Sequence, residues 1–232
     1  MSLSIDLNLG EDVRMETFAT RGEWLNNRVR IGGSDAGSII GVCPWRDNVA
    51  LWEEKTGRKE PADLSDNPLV EYGHNAEQYL RELFKLDFPQ YEVCYEENNL
   101  WTNDKYPYAH ASLDGWLVDG GGFQDTTRYG ILEIKTATIR TKEQAQKWKG
   151  GIPQTYYTQV IHYLLVTEFD FAIVKAQLKY EVDEEEPYLI TKHYRIEREE
   201  VAEDIEYLRK KEEEFAELIE KDTRPSATLP EI

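Results

Sequence analysis

Hydrophobic and polar positions follow two rhythms along this chain. From Leu69 to Phe84, the residues Tyr72, Ala76, Tyr79, Leu80, Leu83 and Phe84 recur at helical spacing and predict an amphipathic helix. A second such stripe, Val201, Ile205, Leu208, Phe215 and Ile219, runs along an acidic C-terminal segment. Between them the period shortens. YEVCYEENNLWT, PYAHASLDGWLV, GILEIKTAT, FAIVKAQLKY and PYLITKHYRI read as strands, with a helix through PQTYYTQVIHYLLVTEF after the third. Nearer the N-terminus, TRGEWLNNR and NVALWEEKTG read as short helices, the latter ending at Gly57. The glycine turn in RIGGSDAGSIIG leads into another helix, with Ser34 or Asp35 as its expected cap. Polar EPADLSDNP, the Gly120 to Gly122 run and the acidic DEEE at 183 to 186 are expected turns. Helices, a three-strand meander, a helix, two strands and a helix predict an α/β fold with a mixed central sheet flanked by helices.

One strand carries a problem. In GILEIKTAT, Ile131, Glu133 and Lys135 share one face, while Leu132, Ile134 and Thr136 share the other. Opposite charges two positions apart fit either a solvated sheet edge or a carboxylate and lysine beside a metal ion. Asp114 lies in the preceding strand, and antiparallel pairing would bring it to Glu133. Glu77 falls at the margin of the apolar stripe of its helix, pointing towards the sheet. Three acids with a lysine suit metal-assisted phosphodiester hydrolysis: hard oxygen ligands hold Mg²⁺ or Mn²⁺, and two such ions can serve the attacking and the leaving oxygen.

Composition narrows the setting. The 232 residues fit one domain, with an N-terminal helical part at about 15–88, the sheet and its helices at about 89–197 and the acidic helix at about 198–222. Two cysteines, Cys43 and Cys94, are too few for a disulfide framework or a four-cysteine metal site. No run is long and apolar enough for a membrane span, and the N-terminus lacks a signal-peptide pattern, so a cytoplasmic protein without membrane association is expected. The net charge of −18 argues at first against nucleic acid, but it is uneven. Residues 181–222 hold 17 acidic and 7 basic side chains, whereas residues 128–179 hold 8 basic and 4 acidic. Arg140, Lys142, Lys147 and Lys149 follow the charged strand and form a candidate backbone-binding segment. The four histidines, His74, His110, His162 and His193, lack metal-ligand spacing and are expected to be surface or satisfied polar groups. No phosphate-binding G-x-x-x-x-G-K-[ST] loop occurs.

L-D-G at 113–115 and E-I-K at 133–135 resemble the PD-(D/E)XK nuclease motif, with Leu113 where proline is usual. RIGGSDAGSIIGVCPW with LWEEKTG, then EYGHNAE, ASLDG, EIK and TYYTQVIHYLLV, follow the order of the YqaJ-type viral recombinases, a group similar to the phage lambda exonuclease family. The resemblance spans about Arg30 to about residue 180. It implies a restriction-endonuclease-like core and a Mg²⁺-dependent exonuclease that shortens the 5′-ended strand of linear duplex DNA, leaving 3′ tails for recombination. Asp114, Glu133 and the Ile134 carbonyl would bind metal, and Glu77 would complete a second metal position. Lys135 would be catalytic, with Gln159 positioning it or the attacked phosphate. Arg30, Ser34 and Ser112 match positions that meet the terminal 5′-phosphate. Tyr163, one turn beyond Gln159, lines the site or belongs to the core. The resemblance also implies a homo-oligomer, as a trimeric ring, and a single-strand annealing partner; a phage-encoded protein would act in the host cytoplasm. An endonuclease of the same superfamily, an acidic DNA mimic and a silent scaffold for an annealing protein are the competing readings.

Overall fold

A computed structural model of the chain describes residues 10–64, 66–120, 127–181 and 186–228. In chain order these form strand β1 (Val13–Thr17), helices α1 (Arg21–Asn27), α2 (Gly33–Ile39), α3 (Asn48–Lys55) and α4 (Pro68–Asp87), and strands β2 (Tyr91–Cys94), β3 (Asn99–Asn103), β4 (Gly115–Asp119) and β5 (Arg128–Ile139). Helices α5 (Lys142–Gln146) and α6 (Gln154–Thr167), strands β6 (Phe171–Tyr180) and β7 (Tyr188–Glu197), and helix α7 (Ala202–Glu220) complete the chain. Five strands make one mixed sheet in the order β2-β4-β5-β6-β7. Only β5 and β6 run parallel; the connection between them contains α6, the kind of crossover a parallel pair requires. The α/β architecture agrees with the hydrophobic pattern.

Local chemistry explains most boundaries. Thr20 accepts the Glu23 N–H to start α1, and Asp47 accepts the Ala50 N–H to start α3, which is followed by Gly57 at a φ of +70°. Helix α2 starts differently from expectation. Gly32 is its N-cap, and Asp35, three residues in, accepts the Gly32 N–H at 3.0 Å. Lys55 at 2.8 Å and Arg46 at 2.6 Å flank that carboxylate. Burial alone would raise its pKa, but the two cations hold it down at about 2.

The sheet is covered on both faces. Trp116, Ile131, Ala172 and Val174 meet Val160, Ile161 and Leu164 of α6, whereas Leu117, Leu132, Ile134, Phe171 and Ile173 meet Leu80 and Phe84 of α4. β5 therefore aims Glu133 and Lys135 at the α6 side and Ile134 at the α4 side. Helix α7 packs on α6 through Ile205 and Leu208, and through a buried charge. Glu212 Oε1 lies 2.7 Å from His162 Nδ1, while His162 Nε2 lies 2.8 Å from the His110 carbonyl oxygen. The His110 carbonyl requires a proton on Nε2, and the contact between Nδ1 and Glu212 holds one more. Burial opposes that charge, but Glu212 raises the His162 pKa above its ordinary value.

Several expectations need correcting. YEVCYEENNLWT is two strands: Asn98 turns at a φ of 55°, and β3 leaves the sheet to pair with β1, an unpredicted five-residue strand within the part expected to be helical. Of PYAHASLDGWLV only Gly115 onward is strand; Ala109 and Ala111 make single bridges to Ile31 and Trp101. On α4, Tyr72, Tyr79 and Leu83 are 48%, 65% and 49% exposed, and the buried face is Leu80, Arg81 and Phe84. His110 is buried without a partner for either ring nitrogen among the described residues, so it is not a satisfied polar group. Most of the expected turns at 120–122 and 183–186 lies outside the described residues.

Gly130, on β5 opposite Phe171, marks how tightly this strand is held: a Cβ there would stand 2.3 Å from the Phe171 ring. Gly130→Ala should destabilise the fold by about 1–3 kcal/mol, as overpacking does, with the loss read as a lower urea midpoint at unchanged slope. An unchanged midpoint would show that the ring moves aside freely.

Candidate active site

β5 is 12 residues long and β4 only 5. Because β4 starts at Gly115 opposite Leu132, the next stretch of β5 has no strand on that side among the described residues. The Ile134 N–H, free of a ladder partner, donates to Asp114 Oδ2 at 2.8 Å. At this opening, groups from both sides of the sheet converge. Lys135 Nζ lies 2.6 Å from Glu133 Oε1 and donates to Gln159 Oε1 at 3.1 Å; Gln159 Nε2 donates to Glu133 Oε1 at 3.0 Å and to the Tyr163 hydroxyl at 2.8 Å. The sequence placed Gln159 and Tyr163 one helical turn apart, and the structure puts both against the charged strand.

The electrostatics are those of crowded acids. Burial, then Asp114, pushes the Glu133 carboxyl up to about 8, and burial with Asp114 pushes Glu77 up to about 7. Burial also raises Asp114, against the pull of Lys135. Burial would lower the Lys135 ammonium, but Glu133 and Asp114 hold it above its usual range. Glu133 Oε2 is buried with no donor among the described residues. Among the described residues, no three His, Cys, Asp or Glu side chains are gathered ready to coordinate an ion. As placed, two of the oxygens one would use are engaged, Glu133 Oε1 by Lys135 and Gln159 and Asp114 Oδ2 by the Ile134 N–H. The orphan oxygen and the raised acids nevertheless fit a divalent cation, since Mg²⁺ takes one or two carboxylates and keeps its remaining positions for water.

Residues expected to meet DNA divide into two groups. Trp148 is buried, its carbonyl accepts from Lys192 Nζ and the Tyr194 hydroxyl, and its ring lies 5.7 Å from Tyr156, over which Lys135 Nζ stands at 5.0 Å. Lys147 and Lys149 flank this anchor and are exposed, so the basic loop adjoins the lysine of the site. Arg140 is exposed and paired with Glu181 at 3.2 Å. At the glycine turn, Gly33 packs so closely that a Cβ would come within 2.4 Å of Tyr163 and 2.9 Å of Gln159. Ser112 Oγ is buried and has no partner among the described residues, and Ser34 is exposed in the first turn of α2. Arg30 is exposed, with its carbonyl bonded to Lys55 Nζ at 2.6 Å. Arg28, which the sequence reading does not single out, precedes the same turn. It is half-buried, stacked 4.1 Å over the Trp24 ring, with its Nε buried and without a partner among the described residues, and it lies in the electrostatic field of Tyr163 and Asp35. The Trp24-to-Arg28 spacing of one helical turn is the signal that was there to find.

Residues 23–170 match the model of the YqaJ-like viral recombinase domain. The chain belongs to that family. YqaJ of Bacillus subtilis, an uncharacterized protein, is 29% identical over 147 residues, which cover 62% of this chain and 42% of YqaJ; the match thus spans less than half of that relative. The YqaJ-like chain is also similar in fold to an alkaline exonuclease from Laribacter hongkongensis, with a TM-score of 0.58, 17% identity, and 87% and 93% of the two chains covered. The same exonuclease in complex with dAMP gives a TM-score of 0.60 at equal identity and coverage. The family match runs over Arg28, Arg30, Glu77, Asp114, Glu133, Lys135 and Gln159, and leaves out β1 at one end and β6, β7 and α7 at the other.

The raised acids set a sign for pH. A glutamate whose folded pKa exceeds its ordinary 4.5 contributes stability below that value and loses it as pH climbs through about 7 for Glu77 and about 8 for Glu133. Denaturant titrations in EDTA should show this YqaJ-like protein weakening progressively between about pH 4.5 and about pH 8, with Glu133→Gln flattening the decline, most clearly in its upper part. Stability rising over that interval would contradict the crowding of these carboxylates.

Proposed function

We propose that this protein is a Mg²⁺-dependent exonuclease that degrades the 5′-ended strand of linear duplex DNA and leaves 3′ single-stranded tails. The observation that carries this reading is the cluster of Asp114, Glu133, Lys135 and Gln159 at the open end of β5, with an undonated Glu133 oxygen among raised acids. Such a cluster has no use in a passive acidic mimic or scaffold, where a buried lysine between carboxylates would only cost desolvation.

Asp114, Glu133 and the Ile134 carbonyl would hold one ion, with Glu77 helping to hold a second; Mn²⁺ has the same oxygen preference. When bound, the cation supplies a more acidic water and neutralises charge on the phosphate. Lys135, fixed between Glu133 and Gln159, orients the attacking water and offsets charge on the phosphoryl oxygens. Gln159 holds Lys135 through its oxygen and Glu133 through its nitrogen, so one amide sets the spacing of base and acid. Terminal-phosphate recognition falls to the turn before α2. There Arg28 offers a guanidinium nitrogen unpaired among the described residues and Ser34 a first-turn position, and Ser112, ahead of β4, adds a hydroxyl likewise unpaired. Arg30 is the lesser candidate because it is exposed. Lys147 and Lys149 would track the duplex backbone, with Arg140 contributing if Glu181 releases it. A similarity in fold to the Laribacter exonuclease, and membership of a viral recombinase family, favour an end-dependent enzyme over an endonuclease. A trimeric ring around DNA and a single-strand annealing partner belong to the same proposal, as does action in a host cytoplasm. Among the described residues no helix is long and apolar enough to cross a membrane.

With 5′-labelled and 3′-labelled linear duplexes, Mg²⁺ should release nucleotide from the 5′-ended strand, EDTA should stop it, and covalently closed circles should resist. Asp114→Asn, Glu133→Gln and Lys135→Ala should each lower the rate by about 100-fold or more, with effects that do not add, as expected for groups acting together. Degradation of closed circles at the same rate would favour an endonuclease. Near-parent activity in folded Asp114→Asn would remove the site. Preference for 5′-phosphorylated over 5′-hydroxyl ends should drop about tenfold in Arg28→Ala and stay near parent in Arg30→Ala, since a charged hydrogen bond is worth about 1.5–3 kcal/mol. The reverse order would restore Arg30 as the end-reading arginine.

A further inference from the structure

Arg81 is buried on α4, only 7% exposed, a condition an arginine tolerates only when its charge and donors are used. Its guanidinium donates to the backbone carbonyl of Asp114, and the plane of the group stacks 3.5 Å from the Tyr95 ring centroid. The stem fills the space over Gly115: a Cβ on that glycine would lie 3.5 Å from Arg81 Cδ and 3.2 Å from the Cys94 carbonyl oxygen. One turn earlier on the same helix is Glu77, so residues i and i+4 present the acid and the cation together. Arg81 and Lys135 approach the carboxylates from opposite sides of the sheet, the first with α4 and the second on the α6 face.

We propose that Arg81 is a positioning residue that fixes Asp114, together with Glu77, for divalent-cation binding. The inference rests on the metal-dependent reading above. Asp114 sits just before β4, outside the regular ladder, and two hydrogen bonds define it: the Ile134 N–H holds one carboxylate oxygen, and Arg81 holds the peptide carbonyl. With both in place the direction of the remaining oxygen is set. Without Arg81 the peptide between Asp114 and Gly115 can rotate, and a buried carbonyl loses its donor. Tyr95 keeps the guanidinium plane in register, a function that a lysine ammonium cannot reproduce fully.

Calorimetric titration with Ca²⁺, a cation that binds oxygen sites without requiring turnover, tests this directly, beside Mg²⁺-dependent nuclease rates. Parent protein should bind Ca²⁺ and Asp114→Asn should not. Arg81→Met should weaken Ca²⁺ by about 10–100-fold, the usual loss when a group supporting a metal ligand is removed. It should raise the Mg²⁺ concentration for half-maximal rate by a similar factor, while kcat at saturating Mg²⁺ stays within a few fold of parent. Arg81→Lys should recover part of the affinity, and Tyr95→Leu should fall between parent and Arg81→Met. If Arg81→Met does not fold, Arg81→Lys and Tyr95→Leu carry the test through the same ratio. Folded variants that bind Ca²⁺ like the parent would overturn the inference, as would a kcat loss at saturating Mg²⁺ with an unmoved half-maximal concentration. Absence of Ca²⁺ binding in the parent, at levels matching Asp114→Asn, would instead overturn the metal reading itself and Arg81 with it.

Discussion

Carboxylates placed within reach of one another and out of water repel, and they stay ionised only if positive charge is brought among them. The site of this protein is built around that constraint. Lys135 enters along β5, and Arg81 enters from α4. Even so, Glu77 and Glu133 remain shifted to about 7 and about 8, and one Glu133 oxygen has no donor. The residual imbalance has the sign a divalent cation would correct. The fold around the site accommodates the same shortage: a strand that stops early leaves a peptide N–H for Asp114 and an opening through which groups from both faces meet.

Support for that opening is layered. α6 is apolar on nearly all sides because the sheet, α2 and α7 enclose it, and that enclosure fixes Gln159 and Tyr163 relative to β5. Gly33 is needed because α2 approaches Tyr163 too closely for a side chain. The buried His162 and Glu212 pair ties α7 to the same helix, with the His110 carbonyl as its third member. His110 in turn stands over Gly32, the residue that caps α2. A continuous set of packed groups thus runs from the C-terminal helix to the turn that presents Arg28 and Ser34.

The legible parts of this arrangement were those with a strong period or a local motif. β5 and α6 announced themselves by alternation and length, and the antiparallel neighbour of β5 brought Asp114 to Glu133 as the spacing implied. What stayed hidden depended on tertiary partners. Tyr79 and Leu83 look like core by helical angle, yet the buried face of α4 is turned towards Arg81, because the sheet below needs a cation where the period shows only a polar residue. β1 was missed because five residues with two inward side chains, Val13 and Met15, make too weak a pattern. The surroundings of Arg28 also depend on a partner, since stacking on Trp24 draws it inward while Arg30, next to the glycine turn, stays exposed.

The net charge of −18 poses a last physical question for any protein that is to approach DNA. Much of the acidity on α7 is answered locally: Arg209 pairs with Glu206 and Glu213, Lys211 with Glu214, and Lys221 with Glu217. Pairs of this kind are worth little to stability, but they reduce the field that a distant phosphate feels, which is further screened over about 10 Å in ordinary salt. Near the site the balance is reversed. Lys147 and Lys149 are carried on a loop whose Trp148 is buried against Ile139 and whose ring neighbour Tyr156 lies beneath Lys135. Local positive charge is thereby attached to the rigid part of the fold beside Lys135, and the acidic α7 is attached through His162 and Glu212 to another part of α6.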